Sequence, residues 1–229
     1  MASEKKYHIG RDGTPKVCRA KGECRLGGEH FNNIEAAQKY ADTLNKKKVE
    51  EEYERAIKTL QNNLSPEDLE KTEWFQQFNG YQQHQIRLGV RNNVDVSKYA
   101  KPGFEWRQME EIRWGLERNL DVSVYANRKF NSAQMIEIRR GLQDNLDVSV
   151  YAKPNLNHYQ MSEYKYWLSR NLNISKYADM QLSAEQLKEI RLGLVRKLNV
   201  DLYAKKELNH REMKRIREDL EKQKEKQYR

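Results

Sequence analysis

The sequence predicts a mainly α-helical protein in which about six units form a helical-repeat solenoid, preceded by a small α+β module. The first observation is a tyrosine that recurs every 26 residues, at Tyr99, Tyr125, Tyr151, Tyr177 and Tyr203. The second is that methionine, glycine and leucine recur at the same interval. The third is a polar composition, 34% charged against 37% hydrophobic, which is typical of a stacked-repeat protein because little of its chain lies far from water.

Residues 1–33 are predicted to form a small hairpin module that contains two cysteines and two histidines. A turn-rich stretch between two short segments indicates a β-hairpin. Four residues of the types that bind Zn²⁺ follow its course: His8, Cys18, Cys24 and His30. About 30 residues cannot bury enough apolar surface alone, which favours one structural zinc ion. Two alternatives stay open, a metal-free packed core with neutral histidines and a redox or catalytic cysteine.

Two segments flank the predicted repeats. Residues 34–78 are predicted to be connecting helices, because an apolar stripe runs from Ile34 to Leu60, with a helix break expected at Asn45. Ser65 then has the position of an N-cap for a further helix. At the other end, residues 221–229 are predicted to be a polar tail that continues the last helix.

Residues 79–220 are predicted to be the repeat array, each unit consisting of a helix of about three turns and a short second helical segment. Asn131 and Gln134 have the spacing of a capping box. Asn145 is expected to end the helix, since asparagine tolerates the left-handed conformation. Asp147 then caps the short segment. A glycine inside the long helix predicts a close approach by the neighbouring helix.

A column of basic residues follows the methionine column by four positions: Arg87, Arg113, Arg139, Lys165, Arg191 and Arg217. In one interpretation each cation lies over the core and pairs across a repeat junction with Asp95, Asp121 or Asp147. In the other, the column is a basic ladder for phosphates. The first interpretation is favoured because the column lies on the packed side of the helices.

Aromatic residues of the array are candidates for partner binding: Trp106, Trp114, Tyr159, Tyr166 and Trp167. Trp167 stands where the other units have glycine, so the fourth unit must pack differently. Either the core is reshaped there, or the cluster is an aromatic anchor for a protein partner, since large aromatic side chains dominate interface energetics.

The sequence contains no motif of a known catalytic centre and no apolar run that approaches the roughly 20 residues of a membrane span. No signal peptide opens the chain, so we expect a cytoplasmic protein with reduced thiols and no membrane association. The net charge of +9 permits nucleic acid or an acidic protein as partner. We expect no enzymatic activity and no small-molecule substrate.

Ten residues of the N-terminal module form a pattern: His8, Gly13, Pro15, Cys18, Ala20, Cys24, Gly27, Gly28, His30 and Phe31. This pattern resembles a short N-terminal module of many phage and mobile-element proteins. The units that read EIRRGLQDNLDVSVYA resemble repeats in such proteins from Gram-positive bacteria. The resemblance implies a mobile-element setting and a role against host defence, of the anti-CRISPR type, and it supplies no catalytic residues.

The leading functional hypothesis is therefore a non-enzymatic binding protein whose repeat surface captures a host protein or ribonucleoprotein, for example one of a CRISPR-Cas system. The alternative is a DNA-binding protein built from helix-turn-helix-like repeats. It is less favoured because the second helical segment has little more than one turn, too short for a recognition helix in the major groove. An enzyme that uses Cys18 or Cys24 is the third hypothesis.

Overall fold

The computed structural model describes residues 6–19, 24, 28–173, 176–177 and 180–227. Within these ranges the chain forms nine α-helices, four 3₁₀ turns and one two-stranded antiparallel sheet. The mainly helical fold with a small sheet near the N-terminus is confirmed. Packing divides the chain into two compact units, Met1–Ser65 and Pro66–Arg229. Among the described helices, none combines the length and the apolar character that crossing a bilayer requires.

The first unit consists of a hairpin and one long helix. Strands β1 (Tyr7–Ile9) and β2 (Pro15–Val17) pair antiparallel, and helix α1 (Ile34–Asn63) packs against both. The helix begins where the Asn33 side chain accepts a hydrogen bond from the Ala36 amide at 2.8 Å. The expected break at Asn45 is wrong, because an asparagine inside a helix carries only a modest propensity cost.

The second unit contains eight helices: α2 (Pro66–Glu70), α3 (Glu73–Gln76), α4 (Gly80–Arg91), α5 (Trp106–Leu116), α6 (Ser132–Gln143), α7 (His158–Ser169), α8 (Ala184–Val195) and α9 (His210–Gln227). From α4 to α9, each helix packs against the next. Four of the five connections contain a 3₁₀ turn, at Val96–Lys98, Val122–Val124, Val148–Val150 and Val200–Leu202. The remaining connection, between α7 and α8, lies partly outside the described residues.

The predicted signals for helix ends are confirmed. Asn131 and Gln134 form a reciprocal capping box at the start of α6. The same arrangement begins α4, α5, α7 and α8. Asn145 follows α6 with φ of 54°, the left-handed conformation that asparagine adopts more readily than most residues. Equivalent asparagines follow α4, α5 and α7, and a lysine takes this conformation after α8.

The recurring tyrosine explains the glycine inside each long helix. A Cβ atom at Gly141 would lie 1.8 Å from the hydroxyl oxygen of Tyr151, which is fully buried. That hydroxyl donates a hydrogen bond to the carbonyl oxygen of Glu137 at 3.2 Å. The expectation that the neighbouring helix approaches the glycine is therefore wrong, because the tyrosine of the same unit occupies the space. The same contact recurs at Gly89, Gly115 and Gly193.

The capping-box glutamine also connects each helix to the unit that follows it. Gln134 Nε2 donates to the carbonyl oxygen of Leu156 at 2.6 Å, and Gln108 Nε2 donates to that of Phe130 at the same distance. The capping-box glutamines of α4, α7 and α8 donate equivalent bonds of 2.7 Å to carbonyl oxygens of the next unit. One residue type thus satisfies a helix terminus and bridges two units at once.

Candidate functional sites

The two cysteines and two histidines come together from the hairpin, from Cys24 and from the segment before α1. Tyr7 and Phe31 exchange two backbone hydrogen bonds of 2.8 Å, which places their neighbours His8 and His30 side by side. Cys18 lies at the end of β2, where its amide donates to the carbonyl oxygen of Lys6 at 2.8 Å. The backbone pairing therefore positions three of the four candidate ligands.

The ligand atoms of His8, Cys18, Cys24 and His30 all lie within 4.8 Å of one another. Cys24 Sγ is 3.7 Å from His8 Nδ1. A tetrahedral zinc ion with Zn–S of about 2.3 Å and Zn–N of about 2.0 Å has a sulfur–nitrogen edge of about 3.5 Å. The four residues therefore lie close enough to hold a metal ion, and their donor set is the one of a structural zinc site.

These four residues differ in exposure. His8 is buried, both cysteines are half-buried and His30 is exposed. The rings of His8 and His30 meet edge to face, with centroids 5.9 Å apart. A metal ion held here would be reachable from solvent on the His30 side, while all four positions of a tetrahedral ion would be filled by side chains.

The basic column connects neighbouring helices. Arg139 Nε donates to Glu111 Oε2 at 2.7 Å, and both side chains are almost completely buried. The acceptor stands 28 positions before the cation. The other pairs have the same spacing: Arg113 with Gln85 at 3.0 Å, Lys165 with Glu137 at 2.6 Å, Arg191 with Glu163 at 2.7 Å and Arg217 with Glu189 at 2.7 Å.

The first cation of the column, Arg87, has its partner in a different element. Its Nε atom lies 2.9 Å from Glu70 in α2, which precedes the repeats. Its guanidinium also lies over the ring of Phe75, 5.0 Å from the centroid. Helix α2 thus supplies the acceptor that a preceding unit supplies at later junctions.

The aspartates expected to pair with these cations have another role. Asp121 accepts hydrogen bonds from the amide and the hydroxyl of Ser123, at 3.0 and 2.6 Å, and so caps the 3₁₀ turn. Asp95 and Asp147 do the same in their units. The predicted aspartate partners are therefore wrong, because the turn uses these carboxylates locally while stacking brings a glutamate of the preceding helix to the cation.

Burial determines the electrostatics of the best-buried ion pair. Removal from water raises the pKa of Glu111, and the guanidinium of Arg139 partly offsets this shift. A buried pair of this kind adds little net stability, but loss of one partner leaves the other charge buried and unpaired. The buried cations of the column are thus engaged in helix packing, and phosphates would have to displace their partners.

Trp167 is fully buried, which favours a locally reshaped core over an exposed anchor. Its ring meets those of Tyr164 and Tyr177 edge to face, with centroids 6.4 and 5.5 Å away. Because Trp167 fills the glycine position, the Tyr177 hydroxyl lies instead 3.5 Å from the Asp201 carboxylate. The Tyr164 hydroxyl donates to the Tyr177 carbonyl oxygen at 3.4 Å. The fourth unit thus keeps its position in the stack with a different set of contacts.

The other four candidate aromatic residues lie at half-buried or exposed positions of the long helices, on the side away from the buried methionine, isoleucine and glycine columns. We call this side of α4–α8 the uncovered face. Tyr159 is 65% exposed and Tyr166 is 39% exposed, so both rings are available to a partner. Trp106 is half-buried because it stacks on Tyr81, with centroids 5.5 Å apart and planes 25° from parallel.

Trp114 and Tyr166 also lie beside the cations of the next helix. The guanidinium of Arg139 is 5.3 Å from the Trp114 ring centroid, and that of Arg191 is 4.4 Å from the Tyr166 centroid. Such cation–π contacts hold each ring in place on the surface. The face therefore presents pre-positioned aromatic side chains.

Tyr81 is a member of this face that the sequence analysis missed. It is 69% exposed, the highest value among the large hydrophobic side chains of the described residues. It stands 78 positions, or three repeats, before Tyr159, so the 26-residue interval alone places the two residues in one column. An aromatic residue at a solvent-facing position of the first unit was the available signal.

The uncovered face carries charges of both signs. Cations of its helices are Arg91, Arg107, Arg140 and Lys188, with Arg118 and Arg170 at the helix ends beside Trp114 and Tyr166, and its anions are Glu110, Glu117 and Glu185. Apolar side chains lie between them: Leu88, Ile136, Leu192 and Val195. A mixed surface with aromatic residues resembles the composition of protein–protein interfaces.

Comparison with known protein families, curated proteins and solved structures finds no match to this chain.

Proposed function

We propose that this chain is a non-enzymatic binding protein whose repeated helices form a solenoid and capture a protein on the uncovered face. The proposal rests on the different environments of the cations and the aromatic rings on the long helices. Their buried cations are engaged with carboxylates and amides of neighbouring helices, as Arg139 is with Glu111, whereas aromatic rings such as Tyr159 remain exposed.

The solenoid is supported by the recurrence of one set of contacts along the chain. At each junction from α4 to α9, a glutamine side chain bonds to a carbonyl oxygen of the next unit. A cation of the next helix bonds to a side chain 28 positions earlier at the same junctions. Repeated nearest-neighbour contacts of this kind are how solenoids gain stability.

A protein partner fits the uncovered face better than a nucleic acid does. Nucleic-acid binding depends on neutralising phosphates with an excess of cations, and on this face the carboxylates of Glu110, Glu117 and Glu185 stand among the cations. The DNA-binding alternative is also weakened by the second helical segment. It is a 3₁₀ turn of three residues, Val148–Val150 in the third unit, which is too short to lie in a major groove.

The resemblance of the module and repeats to mobile-element proteins supplies the proposed setting. The captured protein would be a host defence protein or ribonucleoprotein in the cytoplasm, such as a component of a CRISPR-Cas system. Capture by steric blocking requires no catalytic group and no small-molecule substrate, in keeping with a binding surface built from aromatic and apolar side chains.

The experiment is an affinity capture from a Gram-positive bacterial lysate, with and without nuclease treatment. We expect a captured protein that survives nuclease treatment and is lost with the double variant Tyr81→Ser, Tyr159→Ser. Leu202→Ser is the matched control, since Leu202 is 50% exposed but lies in a 3₁₀ turn. Loss of all capture after nuclease treatment, or equal loss with Leu202→Ser, would contradict the proposal.

We also propose that one structural zinc ion stabilises the N-terminal module. The support is the convergence of His8, Cys18, Cys24 and His30 within 4.8 Å. When bound, zinc supplies folding free energy, because it ties the hairpin to the start of α1. Strand β1 positions the buried His8. The backbone hydrogen bond of Cys18 to Lys6 positions Cys18, and those between Tyr7 and Phe31 position His30.

Metal analysis of purified protein tests the zinc proposal. We expect about one zinc per chain, lost with the double variant Cys18→Ser, Cys24→Ser and kept with His158→Ala. His158 lies in α7, outside the cluster, and is the matched control. A metal-free protein whose thermal unfolding is unchanged by added zinc would instead favour a packed core with neutral histidines.

A further inference from the structure

A cavity of about 460 Å³ lies against α4 in the second unit. Its apolar lining comes from Leu69 and Phe75 in α2 and α3 and from Ile86, Leu88 and Val90 in α4. Leu88 also belongs to the uncovered face, so the cavity continues that surface. Ligand sites of roughly 300–1,000 Å³ with a mainly apolar lining are typical of specific binding pockets.

Among the described residues of the second unit, no full-length helix precedes α4 on one flank. Helices α5 to α9 each pack against a preceding helix of 11 or 12 residues. On the equivalent flank, α4 contacts α2, and α2 and α3 have only five and four residues. Two short helices cover part of the flank, and the cavity marks the part they leave open.

The polar connections of this flank are already made within the chain. Arg87 pairs with Glu70, as described above. The carbonyl oxygen of Phe78, which would accept a hydrogen bond from a preceding glutamine, accepts one from Gln83 Nε2 at 2.9 Å. What remains open is the apolar region beside the last turns of α4.

Charge at the end of α4 indicates what that region receives. At two junctions, the residue that follows a helix donates a hydrogen bond to a carboxylate near the end of the core turns of the next helix. These pairs are Asn92 with Glu117 at 2.7 Å, and Arg196 with Glu221. Arg91 occupies the position of Glu117 and Glu221 in α4, and it is exposed. A helix that lies on this flank therefore complements the charge of Arg91 when it ends in an acidic residue.

We propose that the cavity receives an amphipathic helix of the captured protein, with apolar residues against Leu88 and Val90 and an acidic residue near its C-terminal end against Arg91. The inference rests on the proposed capture of a protein by the uncovered face. Insertion of an amphipathic helix into an apolar groove is a common mode of peptide recognition. The bound helix takes the place of a preceding repeat.

A second copy of this chain is a poor occupant. Its exposed end is α9, where Arg215 stands in the position of the pairing glutamate and Lys222 in the position that would meet Arg91. Like charges at close range disfavour such a contact. The charges of α9 thus disfavour its docking on α4 of a second copy, and the flank of α4 remains for another protein.

The chain itself provides a probe for this site. Residues 130–146 contain α6 with both of its caps, and Asp144 stands where the acidic residue is needed. A fluorescent peptide of this sequence, stapled between positions 136 and 140 on its outward side, is titrated with full-length protein and followed by anisotropy. The staple is needed because an isolated helix of this length is marginal in water.

We expect saturable binding that Leu88→Ser weakens about tenfold and Arg91→Glu about fivefold. The charge-reversed peptide Asp144→Lys is expected to restore binding to Arg91→Glu. Lys129→Glu, at an exposed cation in the connection between α5 and α6, is the matched control and should bind like the unaltered protein. Circular dichroism of each variant verifies that it is folded.

Absence of saturable binding, or binding that Leu88→Ser and Arg91→Glu leave unchanged, would overturn the inference. Self-association in sedimentation that Leu88→Ser abolishes would overturn it in favour of a second copy. These outcomes are distinguishable from failure of the proposed function. Lysate capture that depends on Tyr81 and Tyr159 could persist without peptide binding, and then only the helix site would be lost.

Discussion

The substitution Gly141→Ala tests the tyrosine–glycine contact that packs each unit. An added Cβ would lie 1.8 Å from the Tyr151 hydroxyl oxygen and 2.8 Å from Val148 Cγ1, distances that no side-chain contact sustains. Tyr151 is fully buried, so its ring must shift and its hydrogen bond to Glu137 must break. Alanine is otherwise the better helix former, which makes the direction of the effect informative.

The magnitude follows from three contributions. Overpacking costs about 1–3 kcal/mol, and a buried hydroxyl without a partner costs about 1–3 kcal/mol more. The gain in helix propensity offsets about 1 kcal/mol. We therefore expect the free energy of unfolding to fall by about 3 kcal/mol, and the melting temperature by about 6–12 °C for a chain of this size.

Thermal and urea unfolding followed by circular dichroism at 222 nm measure this effect. The double variant Gly141→Ala, Tyr151→Phe removes the hydroxyl oxygen that clashes most and should recover part of the loss. If Gly141→Ala were as stable as the parent protein or more so, the packing of tyrosine against glycine would be refuted.

Three further predictions follow from the same contacts. Arg139→Ala should lower the free energy of unfolding in urea by about 3–5 kcal/mol because it leaves Glu111 buried and unpaired. Glu111→Gln should change it by less than about 1 kcal/mol, since Gln85 accepts the equivalent hydrogen bond at the first junction. This variant should also lack the loss of stability that the parent protein shows as pH rises through the raised pKa of Glu111. Trp167→Ala should lower the free energy of unfolding by about 3–5 kcal/mol in thermal melts, whereas Tyr159→Ser should change it by less than about 0.5 kcal/mol; equal effects would contradict the burial of one and the exposure of the other. Chelation of the proposed zinc ion should speed hydrogen exchange at the Tyr7 and Phe31 amides and leave that of α6 unchanged. Unchanged exchange at both amides would count against a metal-tied hairpin.

Local signals in the sequence were sufficient where the responsible residues are close in the chain. Asn131 with Gln134 and the left-handed Asn145 depend on contacts within one helical turn, so their spacing predicted the helix ends. The cation partners were different. Arg139 meets Glu111 only because stacking places residues 28 positions apart side by side, and a periodic sequence does not state which columns face each other.

The candidate sites show the same difference between what residue type indicates and what only the folded structure shows. Cysteine and histidine are such specific metal ligands that composition alone identified the cluster, although only the pairing of Tyr7 with Phe31 explains how His8 and His30 meet. Aromatic residues are less specific, because they fill cores as often as they form surfaces. The glycine column set Trp167 apart in the sequence, but only burial shows that Trp167 fills the core while Tyr159 lies at the surface.

The most direct test of the central claim, protein capture by the uncovered face, is hydroxyl-radical footprinting of the protein with its captured partner after nuclease treatment. We predict protection of Tyr81, Trp106 and Tyr159, while Leu202 keeps its reactivity. Protection of Leu202 with unchanged reactivity of those three aromatic residues would contradict the account.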